Sequence, residues 1–284
     1  MEKTSLLPSM GLKWSHKDHH FVGYSIAGIT TSLVYENAGM VFDIGQGVPF
    51  NIPKQNYFLT HGHSDHAGGI AYVLSQRSLW NQPPAQIYCL PHYIENFDKI
   101  LKIWQEIEGY EFKYQLNPLS AGESVSIGKE YRVEPFTTIH RVPSQGYTVF
   151  KSKKKLKAEY IKKHPADLQK LRASGVAVDE FHDEGIMAFT GDTQIEFLET
   201  FKTPVKFLFM ETTFIDDLKP VASAREWGHI HLDEWIHRIE QIPAEKIILI
   251  HLSARYTTRT ILETLDKKIP PSLREKIELF PRPF

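Results

Sequence analysis

The chain has 284 residues, of which 42% are hydrophobic and 24% charged, a composition that excludes a disordered chain or a coiled coil. Its 33 Lys and Arg nearly balance its 34 Asp and Glu, unlike a protein that coats nucleic acid. The longest apolar runs are too short to span a bilayer, and the first ten residues lack the apolar core of a signal peptide. We therefore expect a cytoplasmic protein with no membrane partner.

Histidine is the unusual residue type in this composition. The chain contains 14 histidines, about twice the ordinary usage of about 2%. The single cysteine, Cys89, lies between apolar neighbours, which predicts a buried strand residue and excludes an internal disulfide. Ligands for a metal must therefore come from histidine and carboxylate side chains.

Runs of β-branched and aromatic residues predict at least ten strands. In chain order these are residues 21–26, 32–35, 40–44, 57–60, 86–90, 131–136, 147–150, 186–190, 205–210 and 247–250. Helical spacing of apolar residues predicts helices at residues 69–79, 92–107, 165–174, 232–242 and 257–268. The α/β (α+β) class follows, and mixed sheets flanked by helices in four layers fit this order better than a doubly wound parallel sheet.

We expect a single domain over residues 1–284, because no Gly/Ser linker divides the chain. The exception to its even composition is a segment with seven lysines within residues 151–163, followed by polar sequence to residue 184. This pattern predicts an exposed lysine-rich insertion at residues 151–184.

The strongest chemical signal is the segment His61-Gly-His-Ser-Asp-His66, directly after an apolar run. Three imidazoles and a carboxylate within six residues provide the nitrogen and oxygen ligands that suit Zn²⁺. A turn can direct His61 and His63 to one side and Asp65 and His66 to the other. The spacing therefore suggests two metals.

Three further candidate ligands, His140, Asp192 and His251, each follow an apolar strand, as His61 does. Side chains at the ends of buried strands can converge on one sheet edge and form a rigid site. Taken alone, such a histidine is more often a hydrogen-bonded structural residue, and such an aspartate a turn residue. Together with the six-residue segment they favour a metal site. Asp43 either orients a ligand histidine or only forms a turn.

These residues resemble the metallo-β-lactamase superfamily, which has the same HxHxDH segment, a later lone histidine, a Gly-Asp and a final strand-borne histidine. The resemblance implies a four-layer αββα sandwich with a dinuclear site. The implied ligand set is His61, His63 and His140 for one metal, Asp65, His66 and His251 for the other, with Asp192 shared between them. Two Zn²⁺ per chain are implied, with Mn²⁺ or Fe²⁺ as alternatives. Many different hydrolases share this ligand set.

Three other segments resemble ribonuclease Z, the tRNA 3′-processing endonuclease, in the short form found in plants. They are Phe-Met-Glu-Thr-Thr-Phe at residues 209–214, Glu-Trp-Gly-His-Ile-His at residues 226–231, and His-Leu-Ser-Ala-Arg-Tyr at residues 251–256. The resemblance implies a zinc-dependent endoribonuclease that removes the 3′ trailer of precursor tRNA and leaves a 3′-hydroxyl. It also implies a homodimer.

The catalytic roles that fit this reaction belong to three residues. Asp65 would receive a proton from the attacking water, and His229 polarised by Glu211 would protonate the leaving oxygen. The alternatives are a capping or surface histidine and a salt-bridged glutamate, and His231 is a weaker candidate for the same acid. Arg255 either contacts a phosphate or forms a structural ion pair.

The lysine-rich insertion stands where ribonuclease Z carries the arm that grips tRNA. The resemblance implies that this arm binds precursor tRNA through the lysines Lys153, Lys154, Lys155 and Lys157. The alternative is an ordinary solvated face. Two other functions also stay open at this point: a hydrolase of the same fold acting on a small ester, thioester or phosphodiester, and a non-enzymatic RNA-binding relative.

Overall fold

Two seven-stranded sheets form the centre of the molecule. The computed structural model describes residues 11–283, and the first ten residues, where the sequence predicts no signal peptide, lie outside the described part. The first sheet joins, in chain order, β1 (Leu12–His16), β2 (His19–Ile26), β3 (Thr30–Tyr35), β4 (Met40–Phe42), β5 (Asn56–Phe58), β6 (Ala85–Cys89) and β7 (Tyr114–Pro118). Strands β1 to β4 pair antiparallel, whereas β4 to β7 run parallel.

The second sheet repeats this arrangement. It contains β8 (Val125–Ile127), β9 (Tyr131–Thr137), β10 (Gln145–Leu156), β11 (Asp179–Phe189), β12 (Val205–Glu211), β13 (Ala244–Ile250) and β14 (Ile277–Leu279). Strands β8 to β11 pair antiparallel, and β11 to β14 run parallel. Because parallel strands end at one edge, residues that follow β11, β12 and β13 lie near one another.

Helices cover the outer faces of both sheets. The helices are α1 (Ser64–Ala67), α2 (Ile70–Leu79), α3 (Pro91–Glu108), α4 (Pro165–Ala173), α5 (Phe197–Thr200), α6 (Val221–Glu226), α7 (Thr258–Lys268) and α8 (Pro271–Arg274). Helix α4 alone lies away from the outer faces. Short 3-10 helices occur at Pro49–Asn51, Ala158–Tyr160, Leu232–Glu234 and Ile236–Gln241. None of the helices within residues 11–283 is long and apolar enough to cross a membrane.

Alternation of side chains along the strands divides the interior into three cores. On β12, Phe207 packs between the two sheets, while its neighbour Leu208 packs against the outer helices. On β5, Phe58 lies between the sheets and Tyr57 packs outward toward α2 and α3. Each sheet therefore has two buried faces, and the predicted four-layer αββα sandwich is confirmed.

All ten predicted strand segments overlap strands, although several extend one or two residues past the observed end, and four of the five predicted helices form as α-helices. The α-helix predicted at residues 232–242 is wrong. The segment forms two 3-10 helices, because the backbone of Trp235 departs from helical geometry with φ of −125°, while its indole is completely buried. Strands β1, β7, β8 and β14 were not predicted, because they are short and carry polar residues.

The lysine-rich segment contains regular secondary structure, although its composition suggests a loop. Strands β10 and β11 continue into it as an antiparallel ladder that extends to the pair Leu156 and Asp179, and α4 lies beyond the ladder. We call residues 151–184 the arm. Within the arm, basic residues on β10 face acidic residues on β11, as in the pair Lys151 and Glu184. Cys89 is completely buried in β6, as its neighbours predict.

Candidate metal centre

All seven predicted ligands meet where strands of both sheets end. The six-residue segment 61–66 lies between β5 and the middle of α1, and the other three ligands follow β9, β11 and β13. These three are His140, Asp192 and His251. The site therefore joins the first sheet to the second.

The first ligand group contains His61, His63, His140 and Asp192. The Nδ1 atom of His63 lies 3.0 Å from His61 Nε2 and 3.2 Å from His140 Nε2. The Oδ2 atom of Asp192 lies 3.7 Å from His61 Nε2 and 3.8 Å from His140 Nε2. One donor atom of each residue falls within 4.8 Å of all the others, which is the arrangement of a four-ligand cation site.

The second ligand group contains Asp65, His66 and His251. The Nε2 atoms of the two histidines lie 3.3 Å apart, and Asp65 Oδ2 lies 3.6 Å from His66 and 3.5 Å from His251. The other oxygen of Asp192, Oδ1, lies 3.2 Å from His66 Nε2 and 3.3 Å from His251 Nε2. Each oxygen of Asp192 therefore faces a different ligand group.

Divalent cations fit this arrangement. Tetrahedral zinc with bonds of about 2.0–2.1 Å places its ligand atoms ~3.3 Å apart, close to the nitrogen separations of 3.0, 3.2 and 3.3 Å in the two groups. The Oδ1 atom of Asp192 is buried and accepts no hydrogen bond from residues 11–283. A buried carboxylate oxygen without a donor is costly, and a cation would satisfy it.

Buried hydroxyl and carboxylate groups hold the ligand histidines in place. His66 Nδ1 donates to Asp43 Oδ2 at 2.7 Å, and His61 Nδ1 donates to Thr60 Oγ1 at 2.9 Å, whose hydroxyl in turn donates to Asp43. His251 Nδ1 donates to Thr213 Oγ1 at 3.1 Å. Such partners fix the ring orientation and leave the other nitrogen free for a metal. Asp43 therefore orients the candidate ligand His66, and it does not lie in a turn although its φ is +55°.

Two contacts that orient histidines of the site could not be predicted from residue types. His140 Nδ1 donates to the backbone oxygen of Gly228 at 2.8 Å, and a backbone acceptor leaves no mark on residue type. Thr213 is one of two threonines directly after β12, and only the fold places its hydroxyl beside His251. Thr60 could have been found from its place between the apolar strand and His61.

The position before Asp192 requires glycine for steric reasons. Gly191 has φ of +59°, and a Cβ atom there would lie 2.6 Å from the side chain of Thr60. A larger residue would push Asp192 and Thr60 apart. His251 also has a positive φ of +57°, which is uncommon for a non-glycine residue and is typical of functional sites.

The glutamate and the histidine predicted as a catalytic pair are in contact. His229 Nδ1 donates to Glu211 Oε1 at 2.9 Å, and the carboxylate also accepts from the backbone of Thr193 and from Thr213. Burial lowers the pKa of His229, but the Glu211 carboxylate outweighs it and raises the pKa to about 9. His229 is therefore protonated at neutral pH, and its Nε2 atom has no hydrogen-bond partner among residues 11–283.

His231 is not available for such chemistry. Its Nε2 atom donates to the backbone oxygen of Asp216 at 3.1 Å, and its Nδ1 atom accepts from the backbone of Asp233 at 3.1 Å. Together with Glu234, whose carboxylate accepts from the His231 backbone, it caps the 3-10 helix at Leu232–Glu234. Both ring nitrogens are in use, so the buried His231 has a structural role.

The charge states of His61, His140 and Asp192 suit cation binding. Burial lowers the pKa of His61 and of His140, so both rings are neutral and can use a lone pair toward a metal. Burial raises the pKa of Asp192, but the neighbouring His251 and His66 outweigh this and hold it well below its usual range. Asp192 is therefore an anion that two cations can share.

The predicted substrate-binding residues lie on the loop after His251 and on the arm. Arg255 is exposed, with its guanidinium 5.8 Å from the ring centroid of Phe214 and no carboxylate of the described residues within 4 Å. On the arm, Lys153 pairs with Glu184 at 2.6 Å and Lys154 with Asp179 at 3.0 Å. Lys155 and Lys157 have no carboxylate within 4 Å among residues 11–283. The structure thus divides the four lysines into a paired and an unpaired set, and for Arg255 the ion-pair alternative does not apply.

Comparison with known proteins identifies the family. Residues 55–252 match the family model described as the β-lactamase superfamily domain. Among curated proteins, tRNase Z TRZ1 of Arabidopsis thaliana is 34% identical over 90% of this chain and 92% of that protein. A second Arabidopsis thaliana relative, tRNase Z TRZ2, chloroplastic, is 32% identical over 86% of this chain and 70% of its own length.

Solved structures agree with the fold. Human tRNase Z, short form, superimposes with a TM-score of 0.60 at 19% identity and covers 92% of this chain and 95% of that chain. The metallo-β-lactamase fold protein YhfI from Bacillus subtilis gives a TM-score of 0.63 at 14% identity, over 90% and 93%. At these identities the structures show the fold alone, whereas the sequence relatives show the family. The chain belongs to the ribonuclease Z family of metal-dependent endoribonucleases, within the β-lactamase superfamily.

Proposed function

We propose that this chain cleaves the 3′ trailer from precursor tRNA by hydrolysis of one phosphodiester bond, leaving a 3′-hydroxyl end. The observation that carries the proposal is the pair of ligand groups that share Asp192, beside the hydrogen-bonded pair of Glu211 and His229. The relatives named tRNase Z support tRNA as the substrate.

Two divalent cations per chain belong to this proposal, with zinc as the expected metal and Mn²⁺ or Fe²⁺ as alternatives. His61, His63 and His140 would hold one cation, Asp65, His66 and His251 the other, and Asp192 both. When bound, such a pair lowers the pKa of water and neutralises charge that builds on the phosphate.

Asp65 is the proposed proton acceptor for the attacking water. Its Oδ2 atom accepts from the backbone N–H of Gly28 at 2.9 Å, which fixes the carboxylate against the loop after β2. Its side chain is 13% exposed, whereas Asp192 is 3% exposed, so Asp65 is the more accessible of the two carboxylates. An accessible anion fixed in orientation is suited to receive a proton from water.

His229 is the proposed proton donor for the leaving 3′-oxygen. Its ring is 16% exposed, and its Nδ1 atom is fixed by Glu211, so the proton on Nε2 is the one that can move. The buried Glu211 stabilises the imidazolium form and holds the ring in one orientation. The function of the pair is therefore to keep one proton ready at a fixed position.

We propose that the arm binds tRNA through backbone phosphates. The arm carries nine Lys and Arg residues against six Asp and Glu residues. Lys155 and Lys157, which have no ion-pair partner in the described chain, are the lysines most able to contact RNA. Arg255 is proposed to contact a phosphate near the centre.

The chain is further proposed to act as a single-domain homodimer in the cytoplasm. An exposed apolar stripe on α3 supports self-association. Its members, Ile100, Ile103, Trp104 and Ile107, are between 43% and 66% exposed and follow helical spacing. Light scattering of the purified protein, compared with an Ile103→Glu variant, tests this proposal: a monomeric mass for the unaltered chain contradicts it.

The decisive experiment for function is incubation with an end-labelled precursor tRNA, with the product end mapped. We expect one cut that releases the trailer and leaves a 3′-hydroxyl, and complete loss of cleavage with a chelator. Metal analysis of the same preparation should give close to two ions per chain. If the protein hydrolyses bis(p-nitrophenyl) phosphate but not the precursor, the hydrolase of small substrates is the correct function instead.

A further inference from the structure

The loop between β9 and β10, residues 138–144, is held rigidly beside the metal centre. The backbone N–H of Ile139 donates to Thr193 Oγ1 at 3.0 Å, and the hydroxyl of Tyr93 donates to the backbone oxygen of Pro143 at 2.5 Å. These contacts come from separate parts of the fold. A side chain on this loop is therefore presented from a fixed backbone.

Arg141 is the residue on this loop that follows the ligand His140. It is exposed, and its guanidinium lies 4.9 Å from the ring centroid of Trp227, which is 52% exposed. The backbones of the two segments touch, because a Cβ atom on Gly228 would lie 3.1 Å from the backbone nitrogen of Arg141. Trp227 is two residues from His229, so the stacked pair adjoins both His140 and the proposed proton donor.

Arg141 has no ion-pair partner among residues 11–283. Three other exposed arginines, Arg172, Arg225 and Arg259, each pair with a carboxylate at 2.6–2.9 Å. Within residues 11–283 no carboxylate lies within 4 Å of Arg141, and among the exposed arginines Arg255 shares this condition. A guanidinium without a carboxylate partner is free to bind an anion.

Arg255 borders the same histidine through another aromatic ring. Its guanidinium lies 5.8 Å from the ring centroid of Phe214, which in turn lies 6.3 Å from the ring centroid of His229. The two unpaired exposed arginines of the described chain are therefore both stacked on rings next to the proposed proton donor. Arginines whose only role is to keep the protein soluble would not be expected to lie together beside one histidine.

We propose that Arg141, held against Trp227, is a substrate-positioning residue that binds a backbone phosphate of the RNA next to the cleaved bond. The proposal rests on the proposed function, because only a polynucleotide carries a phosphate beside the one that reacts. A guanidinium stacked by its face keeps the N–H groups at its edge free, and these match two phosphate oxygens. Trp227 limits the freedom of the side chain and so reduces the entropy lost on binding.

Arg141→Ala tests the proposal with two substrates, precursor tRNA and bis(p-nitrophenyl) phosphate, which has no neighbouring phosphate. We expect the KM for tRNA to rise by about ten-fold with kcat changed by less than about two-fold. The loss of kcat/KM on tRNA should be at least about five-fold larger than on the small substrate. The slope of log affinity against log salt for tRNA should fall by about one.

Arg141→Lys and Arg259→Ala are the matched variants. The lysine keeps the charge and should keep the salt slope while losing part of the affinity, since it cannot donate in the same forked geometry. Arg259 is 86% exposed on α7 and pairs with Glu263, so its replacement should change neither KM nor the slope. Circular dichroism and thermal unfolding check that each variant folds.

Two results would overturn the inference and can be told apart from a failure of the proposed function. If the unaltered protein cuts the precursor but Arg141→Ala leaves KM and the salt slope unchanged, Arg141 does not bind the RNA. If Arg141→Ala damages both substrates equally, its role is to support His140. If the unaltered protein neither binds nor cuts the precursor, the proposed function and this inference both fall.

Discussion

Replacement of Glu211 by glutamine gives the sharpest test of the proposed proton donor. The Glu211 carboxylate is completely buried and accepts from His229 Nδ1 at 2.9 Å with one oxygen. With the other oxygen it accepts from the backbone and the hydroxyl of Thr213, at 3.0 and 2.8 Å. Glutamine has one acceptor oxygen and one amide nitrogen, so either His229 or Thr213 loses its acceptor.

The size of the effect follows from the hydrogen bond that is lost. A hydrogen bond to a charged group contributes about 1.5–3 kcal/mol, which corresponds to roughly a 10- to 100-fold lower kcat in Glu211→Gln. His229→Ala removes the proton donor itself and should cost about two to four orders of magnitude. Because Glu211 acts through His229, adding Glu211→Gln to His229→Ala should change the rate by less than about three-fold.

Single-turnover cleavage of precursor tRNA measures these rates, since it separates the chemical step from product release. Glu263→Gln is the matched control, because that glutamate is 63% exposed on α7 and should leave the rate unchanged. Thermal unfolding shows whether each variant keeps its fold. If the rate decreases of Glu211→Gln and His229→Ala multiply in the double variant, Glu211 does not act through His229. If Glu211→Gln cleaves at the full rate, Glu211 has no role in the reaction.

Three other predictions concern the ligands, the arm and the cations. Asp65→Ala should abolish cleavage while circular dichroism stays unchanged, and measurable turnover would remove Asp65 from the proposed step. Replacing Lys155 and Lys157 by glutamine should weaken tRNA binding more than the same change at Lys153 and Lys154. The reason is that Lys153 and Lys154 already pair with acidic residues. Equal losses of tRNA affinity in the two double variants would contradict this prediction. Dialysis against a chelator should lower the unfolding temperature by several degrees, because buried carboxylates lose their counter-ions, whereas an unchanged midpoint argues against cations in this site.

The sequence predicted the architecture well wherever side-chain alternation and strand ends carry the information. Each of His61, His140, Asp192 and His251 follows a strand with an apolar core, and the structure brings all four together where strands of both sheets end. This works because a strand with two buried faces reads as a mostly apolar run, and a polar residue soon after it lies near the sheet edge.

The contacts that orient the ligands could not be predicted, because they depend on chain segments far apart in sequence. The backbone oxygen of Gly228 accepts from His140, 88 residues earlier, and no residue type records such a contact. The residues 232–242 have helical spacing, but the buried Trp235 decides the local backbone. The cross-strand ion pairs of the arm were hidden for the same reason, since Lys153 and Glu184 meet only after β10 and β11 pair.

The centre contains residues from both halves of the chain, and this delays activity during synthesis. Within the second group, His66 and His251 are separated by 185 positions, so this group cannot assemble until almost all of the chain has left the ribosome. A nascent chain that contains only the first sheet lacks Asp192, Glu211 and His229. The candidate site is therefore complete only once both sheets have formed.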